Sequence, residues 1–190
     1  MKISIIGEGN VGSALARRLT AAGHAVTTAN SSTAAGQVAA QVADAEVAVL
    51  AVPFPAVARL DAEVRTALRD KVVIDATNPL AADFMSLTIG HTTSAGEQVA
   101  AALPGARVVK AFNTVFAAIL DTPGLFLPVA SDDEDAKKTV LELGAQLGFD
   151  AVDAGPLANA RYLEPTVELL IQLAYGKGMG AGIGLTLTRA

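Results

Sequence analysis

The stretch Lys2-Ile3-Ser4-Ile5-Ile6-Gly7-Glu8-Gly9-Asn10-Val11-Gly12 decides the fold of this 190-residue chain. Its first five residues form a β-branched run that stops at a glycine, which is typical of a buried parallel strand. Beyond the glycines, apolar side chains recur every four residues from Val11 to Leu19 in an Ala-rich stretch that ends at Ala22-Gly23, and this spacing predicts a helix. The pattern GxGxxG thus lies between a strand and a helix, the context in which it indicates a dinucleotide-binding turn.

Each glycine of this pattern has a physical role in such a turn. Gly7 permits the tight turn, Gly9 lets the backbone approach a pyrophosphate, and Gly12 lets the helix pack closely on the strand. The first N–H groups of the helix then face the anion. We therefore expect the loop to contact the cofactor through Gly7, Glu8, Gly9, Asn10, Val11 and Gly12. The alternative is a glycine-rich turn without a ligand.

The rest of the chain continues the alternation of strand and helix. Strands are predicted at 24–29, 47–52, 72–76, 107–112, 125–130 and 148–153, and helices at 33–43, 56–69, 96–102, 134–147 and 156–175, the last interrupted or kinked near Pro165. Residues 81–95 form a long polar loop without clear periodicity. This alternation predicts a Rossmann-type α/β fold, with a doubly wound, mostly parallel sheet, helices on both faces and ligands at the carboxyl ends of the strands.

Composition and charge exclude several function classes. The chain has 14 basic and 19 acidic residues, for a net charge of −5, and no basic cluster that would bind a phosphate backbone. With no Cys and two distant His, we expect neither disulfides nor thiolate or multi-His metal sites. The acidic run at 132–135 is interpreted as a helix cap with a solvated acidic turn. Metals and nucleic acids are therefore not expected as ligands.

The end of the second strand bears on the choice between NAD and NADP. An NAD site of this fold places Asp or Glu there to bind both ribose hydroxyls, whereas this chain has no carboxylate between Glu8 and Asp44. The strand instead ends in Asn30, Ser31 and Ser32, small hydrogen-bonding groups that would not repel a 2′-phosphate. This favours NADP. The alternative interpretation of the three residues is an ordinary Asx and Ser turn.

With these residues identified, the chain resembles the coenzyme F420-dependent NADP oxidoreductases, small single-domain enzymes that move hydride between a deazaflavin and NADP. The resemblance spans nearly the whole length and rests on segments 7–16, 51–54, 131–134, 153–161 and 178–180. The most specific is Asp153-Ala154-Gly155-Pro156-Leu157-Ala158-Asn159-Ala160-Arg161. Segments 75–79 and 109–114 are similar to the cytoplasmic ferric and flavin reductase domains of membrane metalloreductases.

The resemblance implies a set of contacts to NADP. The residues that would meet the pyrophosphate are Gly9, Asn10 and Val11. Those that would meet the 2′-phosphoribose are Asn30, Ser31 and Ser32. Those that would border the cofactor are Val52 and Pro53. The family has one or two Arg after the second strand, where this chain has serines.

Two further turns follow strands at the edge where this fold binds ligands. Asn78-Pro79-Leu80 and Asn113-Thr114 offer amides and hydroxyls that would orient a nicotinamide or an acceptor ring, and the alternative is simple turn chemistry. We assign Asn78 and Pro79 to the cofactor. The substrate-binding assignments are Leu80, Asn113, Thr114 and Arg161.

Four charged or titratable residues have open roles. Arg161 either holds an acidic tail of the acceptor or ties the last helix to the sheet. Lys110 either extends to solvent or presents a cation to an anionic acceptor. A structural role is expected for His24, whereas His91 either lines the substrate cleft or belongs only to its loop.

The expected function is hydride transfer between NADP(H) and a small ring acceptor, coenzyme F420 or a flavin such as FMN. Such transfer needs stacking and alignment of two rings more than a protein acid or base, so we assign no catalytic residue. One alternative is an NADPH-dependent ferric or flavin reductase. The other is a redox sensor that binds NADP without turnover.

We expect a single domain over residues 1–190, in which a C-terminal helix and tail from about residue 156 close the acceptor site. The longest apolar run, 47–58, holds two prolines, and no signal-like apolar stretch precedes Gly7, so a cytoplasmic protein without a membrane partner is predicted. The apolar face of the last helix exceeds what one small sheet needs, which predicts a homodimer. That face consists of Val167, Leu170, Ile171 and Ala174.

Overall fold

The computed structural model describes residues 1–189, and strands alternate with helices over most of that length. The strands are β1 (Lys2–Ile6), β2 (Ala25–Ala29), β3 (Val47–Leu50), β4 (Val72–Asp75), β5 (Arg107–Lys110), β6 (Phe126–Val129) and β7 (Asp150–Asp153). The α-helices are α1 (Asn10–Ala21), α2 (Ala35–Asp44), α3 (Phe54–Val57), α4 (Ala62–Ala67), α5 (Ala95–Ala102), α6 (Glu134–Gln146) and α7 (Ala160–Ile171). Short 3₁₀ segments lie at Ala117–Ile119 and Leu157–Asn159, and a π-helical turn lies at Gln172–Gly176. Every predicted strand is present.

The first five strands form one parallel sheet in the order β2-β1-β3-β4-β5. The direction of winding therefore reverses between β1 and β3, and the carboxyl ends of these two strands lie side by side at the switch point. The predicted doubly wound, mostly parallel fold is confirmed. β6 and β7 pair in parallel as a separate two-stranded sheet, which the sequence did not predict.

Proline accounts for the separation of β6 from the main sheet. The edge of β6 that faces away from β7 carries Pro128 between Phe126 and Ala130, and proline has no N–H for a ladder. The Ala130 N–H donates to the carbonyl of Lys110 (3.0 Å), which gives a single antiparallel bridge to β5. The Phe126 N–H donates to the carbonyl of Leu185 (2.8 Å). The C-terminal tail therefore lies along the part of this edge that β5 leaves free.

Both faces of the main sheet are covered by helices, as a buried parallel sheet requires. On one face α1 and α6 form a core whose members include Ile3, Ile5, Leu15, Leu19, Val140 and Leu143. On the other face α2, α4 and α5 form a core whose members include Ala48, Leu50, Val38, Val42, Val64 and Val99. The small Ala and Val side chains let the helices lie close to the strands, which explains the Ala-rich composition.

Two helices differ from their predictions. The helix expected at 56–69 is two short helices, α3 and α4, because the prolines at 53 and 55 start a helix early and the extended backbone of Asp61 (ψ 151°) starts a second one. The helix expected at 156–175 is regular only over α7. Pro165 lies inside α7, and the change of geometry comes later, at the π-helical turn that begins at Gln172.

The apolar face of α7 belongs to the protein's own core. Val167 and Ala174 are 2% exposed, and Leu170 and Ile171 are also buried, so the surplus of apolar surface inferred from the sequence is wrong. The large apolar side chains that α7 does expose are Tyr162 and Leu169. Within residues 1–189, no helix has the length and apolar character needed to cross a bilayer.

Candidate functional site

The glycine loop after β1 lies at the switch point of the sheet, against the residues that follow β3. Gly7 has a left-handed φ of 118°, and a Cβ there would lie 2.2 Å from the carbonyl oxygen of Ala51. A Cβ on Gly12 would lie 1.9 Å from the carbonyl oxygen of Gly7. Both glycines are therefore required by the close contact of the loop with β3 and with α1, independently of any ligand.

Gly9 differs from the other two glycines because the protein itself does not need it. A Cβ at this position would have no neighbour within 4 Å, and the backbone (φ −71°, ψ −172°) is one that any residue adopts. Gly9 is the N-cap of α1, no side chain caps this helix, and its first turn has no acidic residue. The first N–H groups of α1 thus remain available to an anion that approaches over a bare backbone, an arrangement that fits a pyrophosphate.

A cavity of about 560 Å³ extends from the glycine loop to the end of β2, and we call it the β2 cavity. Its polar wall includes the loop residues 7–9, Asn30, Ser31, Thr33 and Asp61, and its apolar wall includes Val52 and Pro53. The structure therefore brings together residues expected to hold a cofactor from three separate segments. Ser32 does not line this cavity, and its backbone N–H and its hydroxyl both donate to Oδ1 of Asn30 (2.9 and 2.6 Å) in an Asx turn.

Glu8 has a position that sequence reasoning missed. Its carboxylate reaches from the glycine loop to the end of β2, where it accepts hydrogen bonds from the hydroxyl of Thr28 and the amide of Asn30. These two bonds, the one from Thr28 first, lower the pKa of the Glu8 carboxyl below its ordinary value. The end of β2 thus holds a carboxylate, although no acidic residue occurs there in the sequence.

A second cavity, of about 650 Å³, opens on the other side of the glycine loop, and we call it the ring cavity. It lies between the start of α1, the ends of β4 and β5, and α7. Of the residues predicted to contact cofactor or acceptor here, Asn78, Leu80 and Asn113 line it. Pro79 and the buried Thr114 are not part of its wall.

The apolar walls of the ring cavity were not predicted from the sequence. They include Phe84, Met85, Phe112, Phe116, Val167, Ile171 and Tyr175. Four of these are aromatic in a chain with only 8 aromatic residues (6 Phe and 2 Tyr), and this concentration is the signal that a search for scarce residue types would have used. Among residues 1–189, Asp83 is the single charged residue that lines this wall. The cavity therefore suits a flat, largely apolar ring system.

Two asparagines form the polar corner of the ring cavity. The Asn113 amide donates to Oδ1 of Asn78 (3.1 Å), and the Asn78 amide donates to the carbonyl oxygen of Asn113 (3.2 Å). Asn113 is 4% exposed, and its own Oδ1 has no hydrogen-bond partner among the described residues. A buried acceptor without a partner is costly, so a rotation of this amide toward the cavity would let it accept from a bound ligand, for example from a carboxamide N–H.

Lys110 is neither at the surface nor in the ring cavity, so both roles considered for it are wrong. Its side chain is fully buried, and its ammonium group donates to Asp75 Oδ2 (2.9 Å) and the Thr77 carbonyl (2.6 Å) and pairs with Glu164 Oε1 (3.0 Å). Glu164 in turn accepts from the first N–H groups of α5, at Ala95 and the following residue. This buried triad fastens α7 and α5 to the ends of β4 and β5.

Arg161 lies outside the ring cavity. Its Nε donates to Oε2 of Glu97 (2.8 Å) and its second guanidinium nitrogen to Oε1, and this pair lowers the pKa of the Glu97 carboxyl. The contact ties α7 to α5. His91 is exposed in the loop between β4 and α5 and does not line the ring cavity. Among residues 1–189 no group of three acidic or His side chains lies close enough together to hold a metal.

A doubly wound sheet with a glycine loop, a helix N-terminus without a side-chain cap and a cavity on each side of that loop defines the class of Rossmann-type dinucleotide-binding proteins. Residues 2–79 match the profile of the family described as "NADP oxidoreductase coenzyme F420-dependent". Together with a relative that is 34% identical over 98% of this chain, described next, this match shows that the chain belongs to this family of NADP-dependent oxidoreductases, which confirms the resemblance seen in its motifs.

Relatives of known sequence and structure agree with this assignment. The F420-dependent NADP reductase of Methanothermobacter marburgensis is 34% identical, over 98% of this chain and 98% of the relative. Metalloreductase STEAP3 of Rattus norvegicus is 33% identical over 86% of this chain, but the match spans only 36% of that protein. A crystal structure from Arthrobacter sp. FB24, provisionally assigned as an F420-dependent NADP-reductase, superposes with a TM-score of 0.88 at 28% identity and covers all of both chains.

Proposed function

We propose that this protein transfers hydride between NADP(H) and a deazaflavin, with coenzyme F420 as the acceptor class and FMN as a related ring. The observation that carries the proposal is the position of the glycine loop between two cavities: Glu8 and Gly9 line the β2 cavity, and Asn10 and Val11 line the ring cavity. A dinucleotide bound across the loop would place its nicotinamide end in the ring cavity. The names of the relatives support this choice of cofactor and acceptor.

The chain's own contribution to such a reaction is binding, orientation and exclusion of water. The free N–H groups at the start of α1 bind the pyrophosphate, and the Asn78–Asn113 pair fixes the orientation of a ring amide. The aromatic wall would hold two stacked rings against an apolar surface. The bound nicotinamide supplies the hydride, so no acid or base from the protein is needed.

An NADPH-dependent ferric or flavin reductase remains the second candidate. Similarity to metalloreductase STEAP3 over 86% of this chain favours it, since that relative is named for reduction of metal. Both candidates use the same two cavities and differ only in the acceptor. A redox sensor that binds NADP without turnover is the rival of a different class.

Anaerobic turnover of NADPH with coenzyme F420, FMN and a ferric chelate in parallel distinguishes these functions. We expect the deazaflavin to give the highest kcat/KM. We also expect Phe84→Ala, at the exposed mouth of the ring cavity, to raise the acceptor KM by about three- to tenfold through lost stacking, with the Kd for NADPH unchanged.

Each contrary outcome points to one rival. Turnover with FMN or ferric chelate but not with the deazaflavin would identify the second candidate. Binding of NADPH without oxidation by any acceptor would identify the sensor. Leu187→Ala, an exposed leucine that lines neither cavity, is the matched control and should change none of the kinetic constants.

We further propose that residues 1–190 act as one domain whose C-terminal part, from about residue 156, closes the acceptor site. Support comes from Val167, Ile171 and Tyr175, which form one wall of the ring cavity. Ala190 lies outside the described residues. The cytoplasmic location and the lack of nucleic-acid and membrane partners stay predictions.

We infer a homodimer, on a different surface from the one first predicted. Tyr162 and Leu169 are 71% and 61% exposed and lie seven residues apart on α7, so they share one face of the helix. Light scattering coupled to size exclusion should give twice the chain mass of 19.2 kDa, and Leu169→Glu should halve it. A 19.2 kDa wild-type particle would overturn the dimer.

A further inference from the structure

The carboxylate of Glu8 lies beside the end of β2, where this fold binds the adenosine ribose. In an NAD site, an acidic residue at the end of β2 accepts hydrogen bonds from the two ribose hydroxyls. Here one oxygen of Glu8 accepts from Thr28 and the other from Asn30, two residues of that same strand end. The glycine loop therefore supplies the carboxylate that β2 itself does not contain, and residues at the end of β2 hold this carboxylate in position.

The charge of the β2 cavity favours a ribose diol over a 2′-phosphate. Its charged wall residues are Glu8 and Asp61, both acidic, and no Lys or Arg lines it within residues 1–189. A 2′-phosphate carries close to two negative charges at neutral pH and is normally bound by Arg or Lys. Two hydroxyl groups are neutral donors that a carboxylate binds well.

Two of the neutral donors expected to bind a 2′-phosphate are partly or fully engaged. One N–H of the Asn30 amide donates to Glu8, which leaves the second N–H, and the Ser32 hydroxyl donates to Asn30. Ser31 lines the β2 cavity with a hydroxyl, and so does Thr33, whose hydroxyl accepts from the backbone N–H of Asn30. Neutral hydroxyl and amide donors opposite two carboxylates, with no Lys or Arg among the described wall residues, form a weak phosphate site.

Glu8 remains both ionised and accessible. The donors Thr28 and Asn30 hold its pKa below the ordinary value for a glutamate, so it is charged at neutral pH. The residue is exposed to solvent and lines the cavity, so a ligand reaches it without rearrangement of the core.

We infer that the β2 cavity accepts NADH as well as NADPH, and that the Glu8 carboxylate binds the ribose diol of NADH and sets the ratio of the two affinities. This inference rests on the proposed dinucleotide site. It adds a second hydride donor to the proposed reaction and leaves the ring cavity and the acceptor unchanged.

Direct titration of the wild-type protein with NADH and with NADPH tests the first half of the inference. We expect the two Kd values to lie within about tenfold of each other, because each cofactor shares the pyrophosphate and nicotinamide contacts and differs only at the 2′ position. A preference for NADPH above about 100-fold would overturn the inference and leave the proposed function standing. If neither cofactor binds, the proposed function and the inference both fail.

Three variants test the role of Glu8. Glu8→Gln keeps the shape and removes the charge, so NADH should bind about tenfold more weakly and NADPH more tightly. Ser31→Arg should lower the Kd for NADPH and leave the Kd for NADH unchanged. Asp61→Asn, the matched control, removes the other carboxylate of the cavity and should shift the ratio of the two Kd values less than Glu8→Gln does.

The ratio of the two Kd values separates a specific contact from a structural role. If Glu8→Gln only loosens the loop by removing the hydrogen bonds to Thr28 and Asn30, both cofactors will bind more weakly to the same extent. The ratio of the two Kd values will then stay unchanged. Such a result for Glu8→Gln, or an equal shift with Asp61→Asn, would overturn the assignment to Glu8.

Discussion

Gly9→Val will weaken NADPH binding by about 100-fold or more while leaving the fold intact. The extended backbone at Gly9 accepts a valine, and a Cβ there would have no protein neighbour within 4 Å. The added side chain instead fills the space through which the pyrophosphate must approach the N–H groups of α1. Fluorescence titration of NADPH measures the loss, and thermal unfolding should show a Tm within a few degrees of wild type.

Substitutions at two other glycines serve as controls for Gly9→Val. Gly90→Val adds the same side chain at a position that also has open space around it, in a loop segment that lines neither cavity, and should bind NADPH normally. Gly12→Ala should impair folding, because its Cβ would lie 1.9 Å from a backbone oxygen. Normal NADPH affinity in a folded Gly9→Val protein would show that no pyrophosphate binds at the loop.

Lys110→Met is expected to destabilise the protein by about 3 to 5 kcal/mol. Methionine preserves most of the side-chain volume but removes the cation, which leaves the carboxylates of Asp75 and Glu164 buried without their common partner. Replacing one member of a buried ion cluster costs more than the cluster contributes, because the remaining charges stay desolvated. Urea unfolding followed by circular dichroism measures the change in the free energy of unfolding.

The control for this variant is a lysine at the surface. Lys138→Met lies on the exposed side of α6 and should change the free energy of unfolding by no more than about 0.5 kcal/mol. Adding Asp75→Asn and Glu164→Gln to Lys110→Met removes the uncompensated charges and should recover part of the loss. If Lys110→Met alone is as stable as the wild type, then Lys110, Asp75 and Glu164 do not act as a cluster.

The fold was predictable because its signals are local. The β-branched run before Gly7 and the spacing of apolar residues after it specify strand, turn and helix within about twenty residues, and the structure reproduces them. The helix predicted at 56–69 failed for a local reason of another kind. Pro53 and Asp61 are the N-caps of two separate helices, and the spacing of apolar residues does not reveal where a helix starts.

The site was less predictable because its contacts are distant along the chain. Lys110 pairs with Glu164, 54 positions away, and nothing near either residue in the sequence indicates the other. Glu8 was counted as part of the glycine loop, but its reach to Asn30 depends on the parallel pairing of β1 with β2. The buried apolar face of α7 was misassigned to a partner for the same reason.

The place of the tail along β6 has a consequence for crowded solutions of this protein. An unpaired strand edge is a template on which another chain adds a strand, and this is a common route to aggregation. The Leu185 carbonyl accepts a hydrogen bond from the Phe126 N–H, and the Arg189 guanidinium donates two hydrogen bonds, of 2.8 and 2.9 Å, to the Asp150 carboxylate. The tail thus covers the free edge of β6, and this should reduce aggregation by addition of a strand from a neighbouring molecule.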